Sequence, residues 1–174
     1  MRALALLFVV GCGTSNDSSV ATPEPTQRLA DLRYAAPADS WTHTDAREIG
    51  RSIARWVPKD NTNKESISII RTQRRPALKD ESLEQLRVEL EQAQTSLPAP
   101  AIKTAKIATT KQHLQAVEVV ADFVPAGLTQ SYHRVHAMII DGDLLVHVLY
   151  TARTPDPELT MFQTVVDTIR RGEG

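Results

Sequence analysis

The chain has 174 residues, of which 41% are hydrophobic and 24% are charged, which is enough for one domain with its own core. Its 20 basic and 21 acidic side chains give a formal net charge of -1, so charge offers no case for binding nucleic acid or an anionic membrane surface. The single cysteine excludes a disulfide within the chain.

The first residues combine Arg2, a short apolar run over residues 3–10, and the pair Gly11-Cys12. The run is far shorter than the ~20 residues that a helix needs to cross a bilayer. A positive residue, a brief apolar stretch and small residues at its end are typical of a secretory signal peptide. The alternative is a buried N-terminal strand or helix.

These residues resemble the bacterial lipoprotein signal, in which a small residue precedes an invariant cysteine. The resemblance implies that residues 1–11 are removed, that a diacylglycerol joins the Cys12 sulfur, and that the new amino group is acylated. Two or more acyl chains anchor a protein firmly, since each buried methylene contributes about 0.8 kcal/mol. Gly13 stands where an Asp would favour inner-membrane retention in enteric bacteria, so we expect the periplasmic face of the outer membrane.

Residues 12–31 are rich in Ser, Thr, Asn, Asp and Pro and contain little apolar surface. Such a composition does not offset the entropy lost on ordering the chain. We therefore predict a lipidated, disordered tether over residues 12–31 and a single folded domain over residues 32–172.

In the first part of the domain, runs of strand-forming residues bounded by turn residues predict strands at residues 32–36 and 66–72. Residues 45–57 are ambiguous. Ile53 and Val57 fit an alternating strand, whereas Ile49, Ile53 and Trp56 fit helical spacing after an Asp45 cap. Both alternatives stay open from the sequence.

A change of period predicts a helix that begins after Ser82 and ends at Pro98. Ser82 and Gln85 have the spacing of a capping box. The apolar stripe of this helix consists of Leu83, Leu86, Leu90, Ala93 and Leu97.

Alternation then predicts four antiparallel strands over residues 104–110, 113–124, 132–140 and 144–151. Asp141-Gly142 between the last two is a strong hairpin signal. A C-terminal helix is predicted to begin at Asp156, to carry Arg170 and Arg171 in its last turn, and to stop at Gly172.

Separate groups of strands and helices indicate an α+β domain, with helices packed on an antiparallel sheet. Diffuse apolar patterns mark residues 34–37 with Trp41, residues 67–69, the helix after Ser82, and residues 146–152 and 162–169. Through these patterns and the order of its predicted elements, the chain resembles the PsbP-like domains, which include the periplasmic DcrB lipoproteins, over roughly residues 32 to 171. The resemblance implies an α/β/α sandwich and a binding or assembly role. The segment between Trp41 and Arg51 is longer than the family pattern.

Two histidines are candidate metal ligands. If Asp141-Gly142 is a two-residue loop, facing residue numbers sum to 283, and His136 lies directly opposite His147. Their Cβ atoms would then be ~4.5–5.5 Å apart, close enough for both rings to hold one metal. Since zinc needs three or four ligands, the alternative is a pair of half-buried, hydrogen-bonded histidines partly covered by a helix.

A basic cluster of Arg71, Arg74 and Arg75 ends the strand at 66–72, and Arg51 and Arg55 could align with it. This patch is a candidate surface for an acidic partner or an anionic polymer. The alternative is a solvated strand edge that charge protects from aggregation.

Catalytic signatures are missing from the sequence: it has no Gly-x-Ser-x-Gly elbow and no Gly-rich phosphate loop, and lipid would occupy its only thiol. We therefore expect no enzymatic activity and no cofactor. The sequence predicts a lipid-anchored envelope protein that binds or assists a protein partner. The alternative is a metal- or small-ligand-binding module centred on His136 and His147.

Overall fold

A computed structural model describes residues 23–73, 82–153 and 159–172. Over these residues the helices are α1 (Leu83–Gln94) and α2 (Thr160–Thr168). The strands are β1 (Gln27–Leu29), β2 (Leu32–Tyr34), β3 (Trp41–Glu48), β4 (Arg51–Pro58), β5 (Ser66–Gln73), β6 (Ala101–Thr109), β7 (Gln115–Phe123), β8 (Tyr132–Asp141), β9 (Leu144–Ala152) and β10 (Arg170–Arg171).

The strands form two antiparallel sheets. The large sheet has seven strands in the order β3-β4-β5-β9-β8-β7-β6, and the small sheet has the order β1-β2-β10. The small sheet and α2 pack on one face of the large sheet, and α1 packs on the opposite face against β6 and β7. The predicted α+β class is therefore confirmed.

Two apolar cores follow from the alternation of side chains along the strands. The larger core lies under α2, where Phe162 and Val165 contact the face that carries Ile139, Val146 and Val148. The smaller core lies under α1 and consists of Leu86, Leu90, Val117, Val119, Met138 and Leu145. Consecutive residues of β9 thus enter different cores, which explains its nearly continuous apolar sequence.

The ambiguous segment at residues 45–57 forms the hairpin of β3 and β4, not a helix. Gly50 provides the turn with a φ of 78°, a conformation that favours glycine. Ile49, which a helix would have buried, stands fully exposed at the tip. Ala54 and Trp56 are buried instead, because β4 is paired on both sides and presents alternate residues to the larger core.

The predicted tether extends too far into the domain. Gln27–Leu29 is a strand that pairs with β2, and the side chain of Leu29 is only 4% exposed. The carbonyl oxygen of Asp31 accepts a hydrogen bond from the Gly172 amide. Leu29 makes an apolar contact that the polar composition around it did not indicate. The ordered domain therefore includes residues 27–31.

The C-terminal helix also ends earlier than predicted. Ile169 is its C-cap, and Arg170 and Arg171 form β10 against β2 instead of a last helical turn. Arg171 reaches the β8–β9 turn and donates hydrogen bonds to Asp141 and Asp143. These bonds and the strand pairing replace the interaction with the helix dipole that the sequence suggested. The predicted N-cap, Asp156, lies outside the described residues.

The predicted capping box of α1 is confirmed. The Ser82 hydroxyl accepts from the Gln85 amide at 3.2 Å, and the Gln85 side chain accepts from the Ser82 amide at 2.7 Å. The helix ends at Gln94, one turn before Leu97. Neither of the two described helices is long and apolar enough to cross a membrane.

We expect Ser82→Ala to lower the free energy of unfolding by about 1 kcal/mol, because the first turn of α1 loses a side-chain acceptor. Chemical denaturation measures this change. Ser82→Gly is the matched control and should cost only a few tenths of that energy, roughly 0.3 kcal/mol. Equal losses in the two variants would contradict a capping role.

Candidate functional site

The β8–β9 turn sets the positions of the two candidate histidines. The loop is Gly142-Asp143, one residue later than predicted, so that Asp141 pairs with Leu144. His136 consequently pairs with Leu149, and His147 pairs with Met138. The predicted direct opposition of the histidines is therefore wrong.

The two rings nevertheless meet as diagonal neighbours on one face of the sheet. The shifted loop changes the sum of facing residue numbers by two, which leaves every side chain on its predicted face. Diagonal neighbours are within reach of aromatic side chains. Nε2 of His136 lies 3.0 Å from Nδ1 of His147, and the ring centroids are 5.2 Å apart.

Helix α1 supplies a third member, Gln94. Its Nε2 lies 3.1 Å from Nδ1 of His136 and 3.4 Å from the carbonyl oxygen of Leu90. An amide nitrogen only donates, so Nδ1 of His136 accepts and the proton of that ring resides on Nε2. His136 then donates to Nδ1 of His147, which leaves the His147 proton on Nε2. We call this directed set the Gln94–His136–His147 chain.

Both histidines are neutral in the folded protein. Burial lowers the pKa of His136 to about 3, and the repulsion that a protonated His147 and Arg134 would exert on a second positive charge adds to this effect. Burial also lowers the pKa of His147. The Gln94–His136–His147 chain thus ends in a neutral N–H donor, Nε2 of His147. This atom has no hydrogen-bond partner among the described residues.

A cavity of about 510 Å³ lies beside His147, between α1 and the β3–β4 turn. This volume falls within the ~300–1,000 Å³ of small-molecule sites. Apolar side chains from α1 and the sheet form much of the lining: Leu86, Leu90, Ala93, Met138 and Leu145. The polar lining comes from Arg51, Thr72, Gln73, Glu89 and His147.

Two opposite charges stand at the walls of this cavity. Glu89 extends from α1 and makes no ion pair with any described residue. Arg51 extends from β4 and is paired with Glu48. The neutral His147 donor in the same lining favours a hydrogen-bond acceptor beside it.

The histidine pair does not by itself form a metal centre. Within the described ranges, no cluster of three or more His, Cys, Asp or Glu residues could hold a metal ion. The two facing nitrogens share a proton in a hydrogen bond, and a metal bound by both would have to displace it. The geometry corresponds to the hydrogen-bonded alternative from the sequence.

The predicted alignment of Arg51 and Arg55 with Arg71 is wrong, whereas the cluster with Arg74 and Arg75 extends outside the described residues. Arg71 donates to both carboxylate oxygens of Asp31, at 2.8 and 3.0 Å, and these bonds hold the pKa of Asp31 below its usual value. Arg51 and Arg55 pair with Thr72 and Ser68, so they lie on the face of the sheet opposite to Arg71. The physical reason is that successive side chains of a strand point to opposite faces of a sheet, so residues opposite Thr72 and Ser68 cannot share a face with Arg71.

The remaining predicted site residues, Cys12, Arg74 and Arg75, lie outside the described residues. Sequence reasoning missed Gln94 and Asp31 as partners. Gln94 follows Leu90 by four residues on the apolar stripe of α1, and a polar residue at such a position is a signal that could have identified it. Asp31 has no comparable local signal, because its partner lies 40 positions away.

Comparisons with known proteins show the fold. No family model and no curated protein matches the chain. A crystal structure from Bacteroides thetaiotaomicron VPI-5482 is similar with a TM-score of 0.59 and 10% identity, over 82% of this chain and 46% of the other. LpqN, involved in cell envelope biogenesis of Mycobacterium tuberculosis, is similar with a TM-score of 0.55 and 15% identity, over 79% of this chain and 82% of LpqN. The chain thus spans about half of the Bacteroides protein, and the PsbP-like resemblance stays a prediction.

We expect the stability of the protein to fall as the pH drops below 6.5. In the unfolded chain the histidines gain protons near pH 6.5, whereas the folded pKa of His136 is about 3. The unfolded state therefore binds more protons between these values. Each such histidine removes up to about 1.4 kcal/mol per pH unit.

Chemical denaturation at several pH values between 7 and 4 measures this slope. His136→Gln should make the slope shallower, whatever its effect on stability at pH 7. His113→Asn is the matched control at an exposed histidine, where asparagine accepts the positive φ of 60°. An unchanged slope in His136→Gln would refute the buried neutral state.

Proposed function

We propose that this protein is a lipid-anchored, non-enzymatic binding or accessory module of the cell envelope. The observation that carries the proposal is Gly11-Cys12 at the end of the short apolar run. LpqN, with a similar fold, is described as involved in cell envelope biogenesis. A small residue directly before the only cysteine is typical of a lipoprotein signal, in which the cysteine carries the lipid.

The form of the domain supports binding. Helix α1 packs on β6 and β7 and reaches Leu145 of β9, but no described helix packs on the same face of β4 and β5. Ile53 and Ile70 lie on this uncovered face and are only partly buried. A rigid sheet with such a face is suited to contact an envelope protein, whose identity the chain does not specify.

The chemistry of the cavity supports binding over catalysis. A general base needs a free acceptor atom whose pKa is near the working pH. Both ring nitrogens of His136 are engaged, and its pKa of about 3 keeps it neutral. His147 presents a donor. The two histidines can thus orient a ligand, but neither of them offers a free acceptor nitrogen to serve as a base.

We expect Cys12→Ala to abolish incorporation of labelled palmitate and to release the protein from the membrane fraction. The sulfur that would carry the diacylglycerol is then missing, and the remaining contacts give no firm anchorage. Metabolic labelling and fractionation of cells that produce the full chain measure both effects. Ser15→Ala is the matched control and should behave as wild type. Membrane retention of unlabelled Cys12→Ala would sink the proposal.

A second candidate function is supported by the cavity beside His147. Its volume, its apolar lining and the directed donor of His147 suit a small, mainly apolar molecule with a hydrogen-bond acceptor. This function is compatible with an envelope anchor, since the ligand would occupy the domain and not the tether. We prefer it to the metal alternative, because the two facing histidine nitrogens are already joined by a hydrogen bond.

We expect Zn²⁺ or Cu²⁺ to leave the melting temperature of the full chain unchanged at neutral pH. Two histidines supply fewer ligands than a zinc site requires, and their facing atoms are already hydrogen-bonded. Thermal melting with and without each metal measures the effect. An increase that disappears in His147→Ala but persists in His113→Asn would show that the pair binds metal.

A further inference from the structure

Strand β3 leaves one edge of the large sheet open. It is the outermost strand, and seven of its eight residues are exposed. Its pairing with β4 runs without interruption from Trp41 opposite Pro58 to Glu48 opposite Arg51. Among the described residues, no backbone hydrogen bond reaches the outer side of β3 after Trp41. A regular, unpaired edge of this kind can accept another strand.

The other edge of the sheet, β6, is protected. A bulge interrupts its register between Ile102 and Thr104. Lys103 and Lys106 project from it and are held in ion pairs with Asp122 and Glu118. Bulges and lysines are the usual devices that prevent edge pairing. Strand β3 contains neither of them, so the two edges differ in their capacity to add a strand.

The charges of β3 are complementary to those of its own copy. Asp45 and Arg47 lie on the same face, and neither makes a hydrogen bond or an ion pair with a described residue. If two copies of β3 pair antiparallel about a two-fold axis at Ala46, Asp45 of each copy lies opposite Arg47 of the other. Opposite charges at facing positions stabilise a strand pair.

We propose that β3 pairs with β3 of a second copy of this chain, with Ala46 on the two-fold axis. A two-fold axis perpendicular to the sheet must place one residue opposite its own copy. An axis at Asp45 would oppose two aspartates, and an axis at Arg47 would oppose two arginines. An axis at Thr44 would leave Arg47 without an opposite charge. Only the axis at Ala46 pairs both charges, and the resulting sheet is continuous across the dimer.

The experiment uses the full chain in detergent with Cys12→Ser, so that an introduced cysteine is the only thiol. In the proposed dimer Ala46→Cys faces its own copy, close enough for a disulfide after mild oxidation. Thr44→Cys is the matched control on the same strand and face. Its two copies would be four residues apart, about 13 Å, too far for a disulfide. We expect a dimer on a non-reducing gel for Ala46→Cys alone.

Charge reversal provides the second arm, measured by sedimentation of the same chain without an introduced cysteine. Asp45→Arg makes both facing pairs repulsive and should weaken dimerisation about tenfold. Asp45→Arg combined with Arg47→Asp restores opposite charges in reversed order and should restore dimerisation. A thermal melt of each variant verifies that it is folded.

The proposal is overturned by a chain that sediments as a monomer, by Thr44→Cys that cross-links as well as Ala46→Cys, or by a folded double reversal that does not recover. None of these outcomes bears on the lipid anchor, because Cys12 is replaced throughout this experiment.

Discussion

The antiparallel pairing of β5 with β9 joins the two halves of the large sheet. It runs from Ser66 opposite Thr151 to Gln73 opposite Leu144, while β3 and β4 extend from one side and β6 to β8 from the other. The segment between β5 and β9 contains α1 and three strands, so this ladder closes a long loop. Such non-local pairing slows folding, because the entropy of loop closure is lost before the contacts are gained. Both apolar cores depend on it, since β9 contributes side chains to each.

The position of α1 on this sheet decides where the candidate site lies. The helix packs on β6 and β7, and its C-terminal end brings Gln94 to His136. Beyond α1, no helix in the described part of the chain covers this face of the sheet, and the space between α1 and the β3–β4 turn becomes the cavity beside His147. The same boundary buries His136 almost completely and leaves His147 partly accessible. The extent of the area that α1 covers thus determines both the neutral state of the two histidines and the direction of the His147 N–H donor.

Local patterns predicted much of the fold, because alternation and helical stripes report which face of an element is buried. They failed where the secondary structure depends on pairing with distant strands. Ile53 and Trp56 fit both the helical and the strand period, and only the pairing of β4 on both sides selects a strand. The predicted contact of His136 with His147 relied on direct opposition across an Asp141-Gly142 loop. The observed loop lies one residue later, and the rings still meet because both registers keep them on the same face of the sheet. The partner that orients them, Gln94, belongs to a helix whose docking the sequence does not specify.

The Gln94–His136–His147 chain lowers stability relative to an apolar interface. Its groups are withdrawn from water, and Gln94 Oε1 is buried without a hydrogen-bond partner in the described residues. A buried unsatisfied polar atom costs about 1–3 kcal/mol, and well-packed apolar side chains would avoid that cost. Two imidazoles and an amide at this position place a donor of fixed tautomer at the cavity wall, which is the feature that the proposed ligand site uses. The amide fixes the first ring and the first ring fixes the second, so that Nε2 of His147 would donate to the proposed ligand.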